Sequence, residues 1–369
     1  MIEQRAVVLG GAGEIGKAVV RDLAEHSSFL PIVVADAREA VGQAFVQSLG
    51  SDRVIFQRVD ARDPAQLINV MRGAKVVINT IGPFYEWALT VATAAIHAGV
   101  NYVDVCDDPD AAIALLSLDP MARRKGLTFL ICQGWTPGIM NLMAARGARH
   151  MDQVDEIRVN WLQDLDEAIG LAPIMHWGHV TVGTVPAYRN GQWVQVRGLS
   201  EREVVRFPDP IGQAAVFYTG HPEPVTLPRF LDAQTVICKG GLVPEDNVTL
   251  TRIVEALGLG STPTRIRRTA KFFMPFLPYL AKIGGKTSGW SGSRVEIRGR
   301  RNGHEARTIY GMVLRVSQAT GTSASIGAQM IAAGLVNHQG VLPPEAAVDQ
   351  EFFFEELARR GLKLVELAA

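Results

Sequence analysis

Ala6-Val7-Val8-Leu9-Gly10-Gly11-Ala12-Gly13-Glu14-Ile15-Gly16 is the stretch whose reading decides the fold. An apolar run suited to a buried parallel strand, Ala6 to Gly10, passes straight into the glycine loop, and an apolar helical pattern begins after it. Glycine at this spacing answers to sterics. Gly11 permits a tight turn, Gly13 lets backbone N–H groups approach a pyrophosphate, and Gly16 lets the helix lie close on the strand. An anion held there meets the positive end of a helix. A chain with 36 glycines can produce G-x-G-x-x-G by chance, so the context has to decide. A second apolar run, Pro31 to Ala35, ends at Asp36, 20 residues beyond Gly16. A carboxylate at that point accepts hydrogen bonds from both hydroxyls of an adenosine ribose and repels a 2′-phosphate. The stretch therefore predicts a dinucleotide site with NAD as the cofactor. Arg38, two residues past the acid, keeps NADP possible, because it can pair with a phosphate.

Working outward, apolar strand-like runs alternate with helical patterns from residue 5 to about 150. That is the signature of a parallel sheet with helices on both faces. The helices Ile15 to Ala24 and Ala40 to Leu49 follow the first two strands, and the third, Val54 to Val59, ends at Asp60-Ala61, expected beside the adenine. Val76 to Asn79 opens into Thr80-Ile81-Gly82-Pro83-Phe84, a helix spans Glu86 to Ala98, and strands follow at Tyr102 to Val105 and Thr128 to Cys132. Asp63-Pro64, Asp108-Pro109 and Asp119-Pro120 each read as an N-cap followed by proline in the first helical turn. A loop Gly134-Trp135-Thr136-Pro137-Gly138 precedes a helix from Ile139 to about Arg149.

After His150 the pattern changes. Strands are expected at Glu156 to Leu162, Trp193 to Val196, Glu203 to Phe207, Val216 to Tyr218, Arg294 to Arg300 and Arg307 to Val316. The last two are joined by Asn302-Gly303, a strong hairpin signal. Helices are expected at Asn247 to Leu257 and Ser323 to Ala333. The fold class is thus α/β: an N-terminal Rossmann doubly wound parallel sheet, residues 1–150, and a second α+β mixed-sheet domain, residues 151–342, to which the resemblance described below assigns substrate binding and dimerisation. Helices in the tail, residues 343–369, are expected to pack back on the first domain. Phe272 to Leu280 is apolar, aromatic and broken by two prolines, too short to span a bilayer, and reads as an interface or lid before it reads as core or a lipid-touching surface.

At 369 residues there is room for two or three domains of about 150 residues. Basic and acidic residues number 37 each, so no net field favours nucleic acid or an anionic membrane. Partners are expected to be small molecules or copies of the chain, with a homodimer as the expectation. The three cysteines are too few and too scattered for a disulfide framework or a thiolate metal site, which fits a reducing compartment. Without a signal region or a long apolar run, a cytoplasmic location is expected.

Asn79-Thr80-Ile81-Gly82-Pro83-Phe84, His97-Ala98-Gly99-Val100-Asn101-Tyr102-Val103-Asp104 and Trp135-Thr136-Pro137-Gly138 with Asn141 resemble the saccharopine dehydrogenase-like family. Thr320-Gly321, the helix containing Met330 and Gly340-Val341-Leu342-Pro343-Pro344-Glu345 resemble its closing segment. The resemblance implies hydride transfer between a nicotinamide and a carbon bonded to nitrogen, with a Rossmann domain and a mixed-sheet domain carrying substrate contacts. It places Thr80, Ile81, Gly82 and Pro83 along the nicotinamide half of the cofactor. Gly11, Ala12, Gly13, Glu14, Ile15, Asp36, Ala37, Arg38, Asp60 and Ala61 complete the cofactor set. Ser317, Gln318 and Ala319 stand where amino-acid-acting members often carry an arginine, and Lys239 can meet a carboxylate only as a point charge. A diacid substrate is thereby disfavoured.

For the chemistry, Tyr85, Asp107 and His176 are the candidates to handle a proton, and Asp104, Trp135, His179 and Lys239 the candidates to contact substrate. Each has a plain alternative: Asp104 and Asp107 as backbone-bonded carboxylates, Trp135 as core, His176 and His179 as polar loop residues. Cys106 reads as a buried structural cysteine. No metal is required for hydride transfer, and the His-Trp-Gly-His spacing does not suggest one. The expected activity is oxidation of an amine or amino acid to an imine, or reductive amination of a carbonyl. The alternatives are an NAD(P)-dependent alcohol or ketone oxidoreductase and a dinucleotide-binding protein without turnover.

Overall fold

The computed structural model describes residues 4–167, 170–260, 262–276, 289–336 and 338–368. The chain divides into two compact units, Met1–Ile139 with Ser317–Arg360, and Met140–Val316 with Gly361–Ala369.

In chain order the first unit begins β1 (Ala6–Leu9), α1 (Glu14–His26), β2 (Ile32–Asp36), α2 (Glu39–Leu49), β3 (Val54–Arg58), α3 (Pro64–Met71) and β4 (Val76–Asn79). It continues α4 (Phe84–Ala98), β5 (Asn101–Asp104), α5 (Pro109–Leu116), α6 (Asp119–Arg124), β6 (Thr128–Leu130) and the start of α7 (Ile139–Ala148). The second unit holds β7 (Gln153–Asp164), α8 (Leu171–Thr181), β8 (Thr184–Arg189), β9 (Gln192–Arg197), β10 (Glu203–Arg206), β11 (Gln213–Tyr218) and α9 (Glu223–Phe230). After these come β12 (Thr235–Val243), α10 (Asp246–Ala256), α11 (Pro263–Phe273), β13 (Ser291–Arg301) and β14 (His304–Leu314). The chain then returns to the first unit through α12 (Val316–Ala332), β15 (Gly340–Leu342), α13 (Pro344–Ala347) and α14 (Gln350–Arg359), and ends with β16 (Val365–Glu366) in the second.

The first unit's sheet has the order β15-β6-β5-β4-β1-β2-β3, with every pair parallel. Strands β1, β2 and β4 are buried at every position, as helices on both faces require. Successive connections run from β1 toward β3 and then reverse to β4. The ends of β1 and β4 therefore flank a switch point, where open parallel sheets bind ligands. The seventh strand, β15, did not show in the sequence, since three residues carry no usable alternation. The expected boundary also moves, because the chain rejoins the first unit at Ser317 rather than at 343. Helix α12 is rich in small residues and buried almost all round, and Gly321 packs so closely that a Cβ there would lie 2.5 Å from the Ala18 Cβ on α1. The tail is tied to α1 as well: Arg360 Nε donates to Asp22 Oδ2 at 2.8 Å, with both side chains buried.

In the second unit the mixed sheet runs β10-β11-β12-β7-β13-β14-β16, with β8 pairing β12 and β9. Only β12 and β7 pair in parallel. Asn302 and Gly303 both have positive φ, 52° and 78°, the geometry that the Asn-Gly hairpin predicts. His176 and His179 lie on α8, a helix, and not in the expected loop. The segment Leu171–Thr181 holds Pro173 and Gly178, which hid its helical pattern. Of Phe272 to Leu280, Leu277 to Leu280 lie outside the described residues; Phe272 and Phe276 are exposed at the end of α11. No helix among the described residues is long and apolar enough to cross a membrane.

The helix α1 lies against the turn after β1 at Gly16, where a Cβ would fall 2.3 Å from the Gly10 carbonyl oxygen and 2.6 Å from the Gly11 Cα. Neither obstacle is a side chain that can swing away. Gly16→Ala is expected to destabilise the first unit by about 1 to 3 kcal/mol, the usual cost of forcing a methyl into a packed site. Urea midpoints of the two proteins check this, and equal midpoints contradict it.

Candidate active site

The loop after β1 is built by backbone. Gly10 N–H and Gly11 N–H both donate to the Ala35 carbonyl, at 2.8 and 3.3 Å, and Gly13 N–H donates to Gly10 O at 2.9 Å. The positive φ of the turn, 71°, belongs to Gly10, not to Gly11 as the motif suggests. Gly11 is instead required by space, since a Cβ would lie 2.8 Å from Val8 O. Gly13 is the N-cap of α1, with extended geometry and no side-chain cap, so the helix opens on bare backbone donors. A pyrophosphate fits that cradle.

Asp36, at the end of β2, closes the loop from the side. Its Oδ2 accepts from Ala12 N–H at 3.1 Å, and its two oxygens accept from Arg38 Nε and Nη2 at 3.1 and 3.0 Å. Burial alone would raise this carboxyl, but the bonds from the Arg38 side chain and backbone outweigh it and hold it below its ordinary range. The guanidinium is more than half exposed and sits beside Gly13, where a Cβ would be 3.7 Å from Arg38 Nη2. Asp60 is likewise paired with Arg62, whose hydrogen bonds lower it to about 2.

The ends of β4, β5 and β6 form the other half of the crevice. Thr80 Oγ1 donates to Leu9 O at 2.8 Å, which ties the Thr80 to Pro83 loop to β1. Asn79, buried, donates to the Tyr102 hydroxyl at 3.0 Å and accepts from Ile81 N–H at 3.0 Å. Asp104 is fully buried, and its Oδ1 accepts from Cys106 N–H at 3.0 Å and Cys132 N–H at 2.8 Å. It therefore joins the loops after β5 and β6. Asp108 carries Pro109 in the first turn of α5 as expected, yet its carboxylate caps α4, accepting from Tyr85 N–H at 2.9 Å. Trp135 is buried in a tight loop whose Gly134 N–H donates to Pro137 O, and Gly138 takes φ 127° where a Cβ would meet Gly134 backbone. Asp107 is half-buried between Cys106 and Asp108. Cys106 is buried and structural in setting, its thiol pushed well up by burial and then by Cys132.

In the second unit, Lys239 Nζ donates to Glu203 Oε2 at 3.0 Å and to Glu201 O at 2.9 Å, and lies over the Tyr218 ring. Its charge is engaged within its own sheet. His176 and His179 are both half-buried on α8. The His176 ring meets the edge of His221, centroids 5.3 Å apart, and His221 in turn lies under Trp161. His221 and Glu223, in His221-Pro222-Glu223-Pro224, were missed in the sequence. The available signal was an acid in the first turn of a helix, next to prolines, whose exposure no pattern could settle.

A bare-backbone anion cradle, an acid at the end of the second strand and a switch-point crevice are the features of a Rossmann-type dinucleotide-binding domain. Residues 6–130 match the family model of the saccharopine dehydrogenase NADP binding domain. Along the whole chain it is 24% identical to carboxyaminopropylagmatine dehydrogenase of Synechocystis sp., with 96% of each protein covered. It is 26% identical to carboxynorspermidine synthase of Vibrio cholerae over 40% of the chain and 41% of that protein. The fold matches saccharopine dehydrogenase (L-Glu forming) from Saccharomyces cerevisiae with a TM-score of 0.69 at 14% identity, covering 99% of this chain and 100% of that one. The chain is an NAD(P)-binding oxidoreductase similar to these saccharopine dehydrogenase-type proteins.

Burial raises Asp104 to about 6, against the pull of the Cys132 and Cys106 N–H groups and the Tyr102 hydroxyl. The folded protein keeps this proton to about pH 6, whereas an unfolded aspartate releases it near 4. The folded state binds more protons in that window, so its stability falls as pH rises from about 4 to about 6, by roughly 3 kcal/mol. Asp104→Asn retains an acceptor for both N–H groups and is expected to remove that fall. Unfolding free energies at pH 4 and pH 7 check it, and an unchanged pH dependence contradicts it.

Proposed function

We propose that the protein transfers hydride between NAD and a carbon bonded to nitrogen, oxidising an amine or amino acid to an imine or running the reductive direction from carbonyl and amine. The observation that carries this reading is full-length likeness to a relative named for an amine substrate, joined to a dinucleotide domain of the same family. The nicotinamide supplies hydride acceptance or donation when bound. Gly11, Gly13 and the N-terminus of α1 hold the pyrophosphate, with Ala12, Glu14 and Ile15 as the rest of the loop. Thr80, Ile81, Gly82 and Pro83 line the nicotinamide half. Their loop is fixed on β1 through Thr80, which would give a bound nicotinamide a fixed wall.

In the oxidative direction the hydride leaves carbon as the nitrogen lone pair forms C=N, and the nitrogen's proton has to be taken up. Tyr85, Asp107 and His176 are the residues we assign to that proton or to orienting the nitrogen, with Trp135 and His179 as substrate contacts. Asp104 positions the β5 and β6 loops through its two backbone bonds rather than meeting substrate. NAD is the preferred cofactor, because Asp36 places a carboxylate at the ribose; Arg38, bonded to that carboxylate, moderates the exclusion of a 2′-phosphate. The same reading carries a cytoplasmic homodimer with small molecules as ligands.

Two experiments test the proposal. Asp36→Ala is expected to weaken NADH binding by about 1 to 3 kcal/mol, the worth of a charged hydrogen bond, and to strengthen NADPH binding by freeing Arg38. Equal loss for both cofactors contradicts the ribose assignment. NADH consumption is then followed with ketones and aldehydes, each with and without ammonia, lysine or short polyamines. Consumption that needs both carbonyl and amine is the expected result. Consumption by a carbonyl alone makes the enzyme an alcohol dehydrogenase, and silence with bound cofactor makes it a non-catalytic binder.

A further inference from the structure

The net charge of zero hides a local imbalance. Between Glu255 and Glu296 the sequence has no acid, and α11 alone carries Arg265, Arg267, Arg268 and Lys271. This helix therefore bears charge of one sign in a chain that is otherwise balanced. Its first turn is set by Thr262, whose Oγ1 accepts from Arg265 N–H at 3.3 Å, with Pro263 at the first helical position.

Helical periodicity sorts the residues that follow. Ile266 and Ala270 are buried, and Phe273, one turn on, is half-buried. That stripe lies on α8, where a Cβ on Gly178 would come 3.2 Å from Ile266 Cγ2. The opposite stripe is Arg268, Lys271 and Phe272, all exposed. Thr269 Oγ1 donates to Leu259 O at 3.1 Å and Arg265 Nη1 to Gly258 O at 3.0 Å, which fixes the helix on the turn after α10 as well.

The end of α11 presents aromatic rings to solvent. Phe272 is 65% exposed and Phe276, in the 3₁₀ turn Met274–Phe276, is 49% exposed. Their ring centroids lie 5.9 Å apart, and Phe272 meets Phe273 at 5.3 Å. Met274 is exposed beside them, and Leu257 and Leu259 are exposed at the turn after α10. An apolar cluster held open to water on a fixed helix marks an interaction surface.

Charge decides what covers it. A second copy placed on this helix across a two-fold axis would bring the same cations against each other. Helix α8 has no acid to offset them, and Glu255, the last acid before α11, is engaged with Gly183 N–H and Arg197. Cations beside exposed rings on one outward face match an anionic lipid surface: phosphates meet the guanidinium and ammonium groups, and the rings enter the headgroup boundary. We propose that α11 and the turn ending at Phe276 form a membrane-association surface by which the protein binds reversibly to bilayers carrying anionic phospholipid. The segment is too short to cross a bilayer, so it lies in the interface.

Co-sedimentation of the full chain with vesicles of phosphatidylcholine, pure or with about 30% phosphatidylglycerol, tests the proposal. Binding to the anionic vesicles is expected to be about 10-fold or more tighter than to the neutral ones, and to fall as salt is added. Arg268→Gln with Lys271→Gln is expected to weaken it about 20-fold, from about fivefold per cation. Phe272→Ser with Phe276→Ser is expected to weaken it about 10-fold or more and to leave the urea midpoint unchanged, since both rings are already exposed. No vesicle binding, equal binding to the two compositions, or binding indifferent to both double variants overturns the proposal. Sedimentation equilibrium supplies a second readout. A dimer that the phenylalanine variant turns into a monomer would make the patch a contact between two copies and overturn the membrane assignment.

Discussion

The first unit depends on a contact between two pieces of backbone. The start of α1 rests on the turn after β1 so closely that Gly16 has no room for a methyl, and that approach is what points the first N–H groups of α1 into the crevice. Later packing builds on the same helix. Ala18 receives Gly321 of α12, and Asp22 receives Arg360 just after α14, so the returning segment Ser317–Arg360 is registered on the same helix. A side chain added at the loop would therefore disturb the anion cradle and the attachment of the tail together.

Buried acids do the positioning around that crevice. Asp36 fastens Ala12 and Arg38, Asp104 fastens the loops after β5 and β6, and Asp108 caps α4 at Tyr85. Asp36 and Asp104 each satisfy backbone N–H groups from two separate positions, which fixes loops that have no regular structure of their own. The difference among them lies in their surroundings. Asp36 has a guanidinium beside it and is held low, while Asp104 has only N–H groups and a hydroxyl and rises.

The glycine turn after β1, the acid at the end of β2 and the parallel sheet were legible because each rests on local chemistry: glycine where a Cβ cannot fit, apolar runs where helices cover both faces. The Asn302-Gly303 hairpin was legible for the same reason, as both residues must take positive φ. What sequence left hidden was non-local. Gly10 carries the positive φ that the motif assigns to Gly11, since the motif counts spacing and not dihedral angles. Asp108 looked like the cap of α5 and caps α4, a contact across 23 residues of chain. Strand β15 lacked a readable period because it is three residues long, and the helix expected from Ser323 in fact begins at Val316. His221 lies beside Trp161 of β7 and His176 of α8, a grouping that no spacing in the sequence reveals.

The central claim is that hydride reaches a carbon bonded to nitrogen. Mass spectrometry of the product formed from a carbonyl, a 15N-labelled amine and NADH deuterated at the transferable position tests it most directly. The account predicts one molecule carrying deuterium on the carbon that bears the 15N. Deuterium found only in an alcohol, with the amine unincorporated, would contradict it.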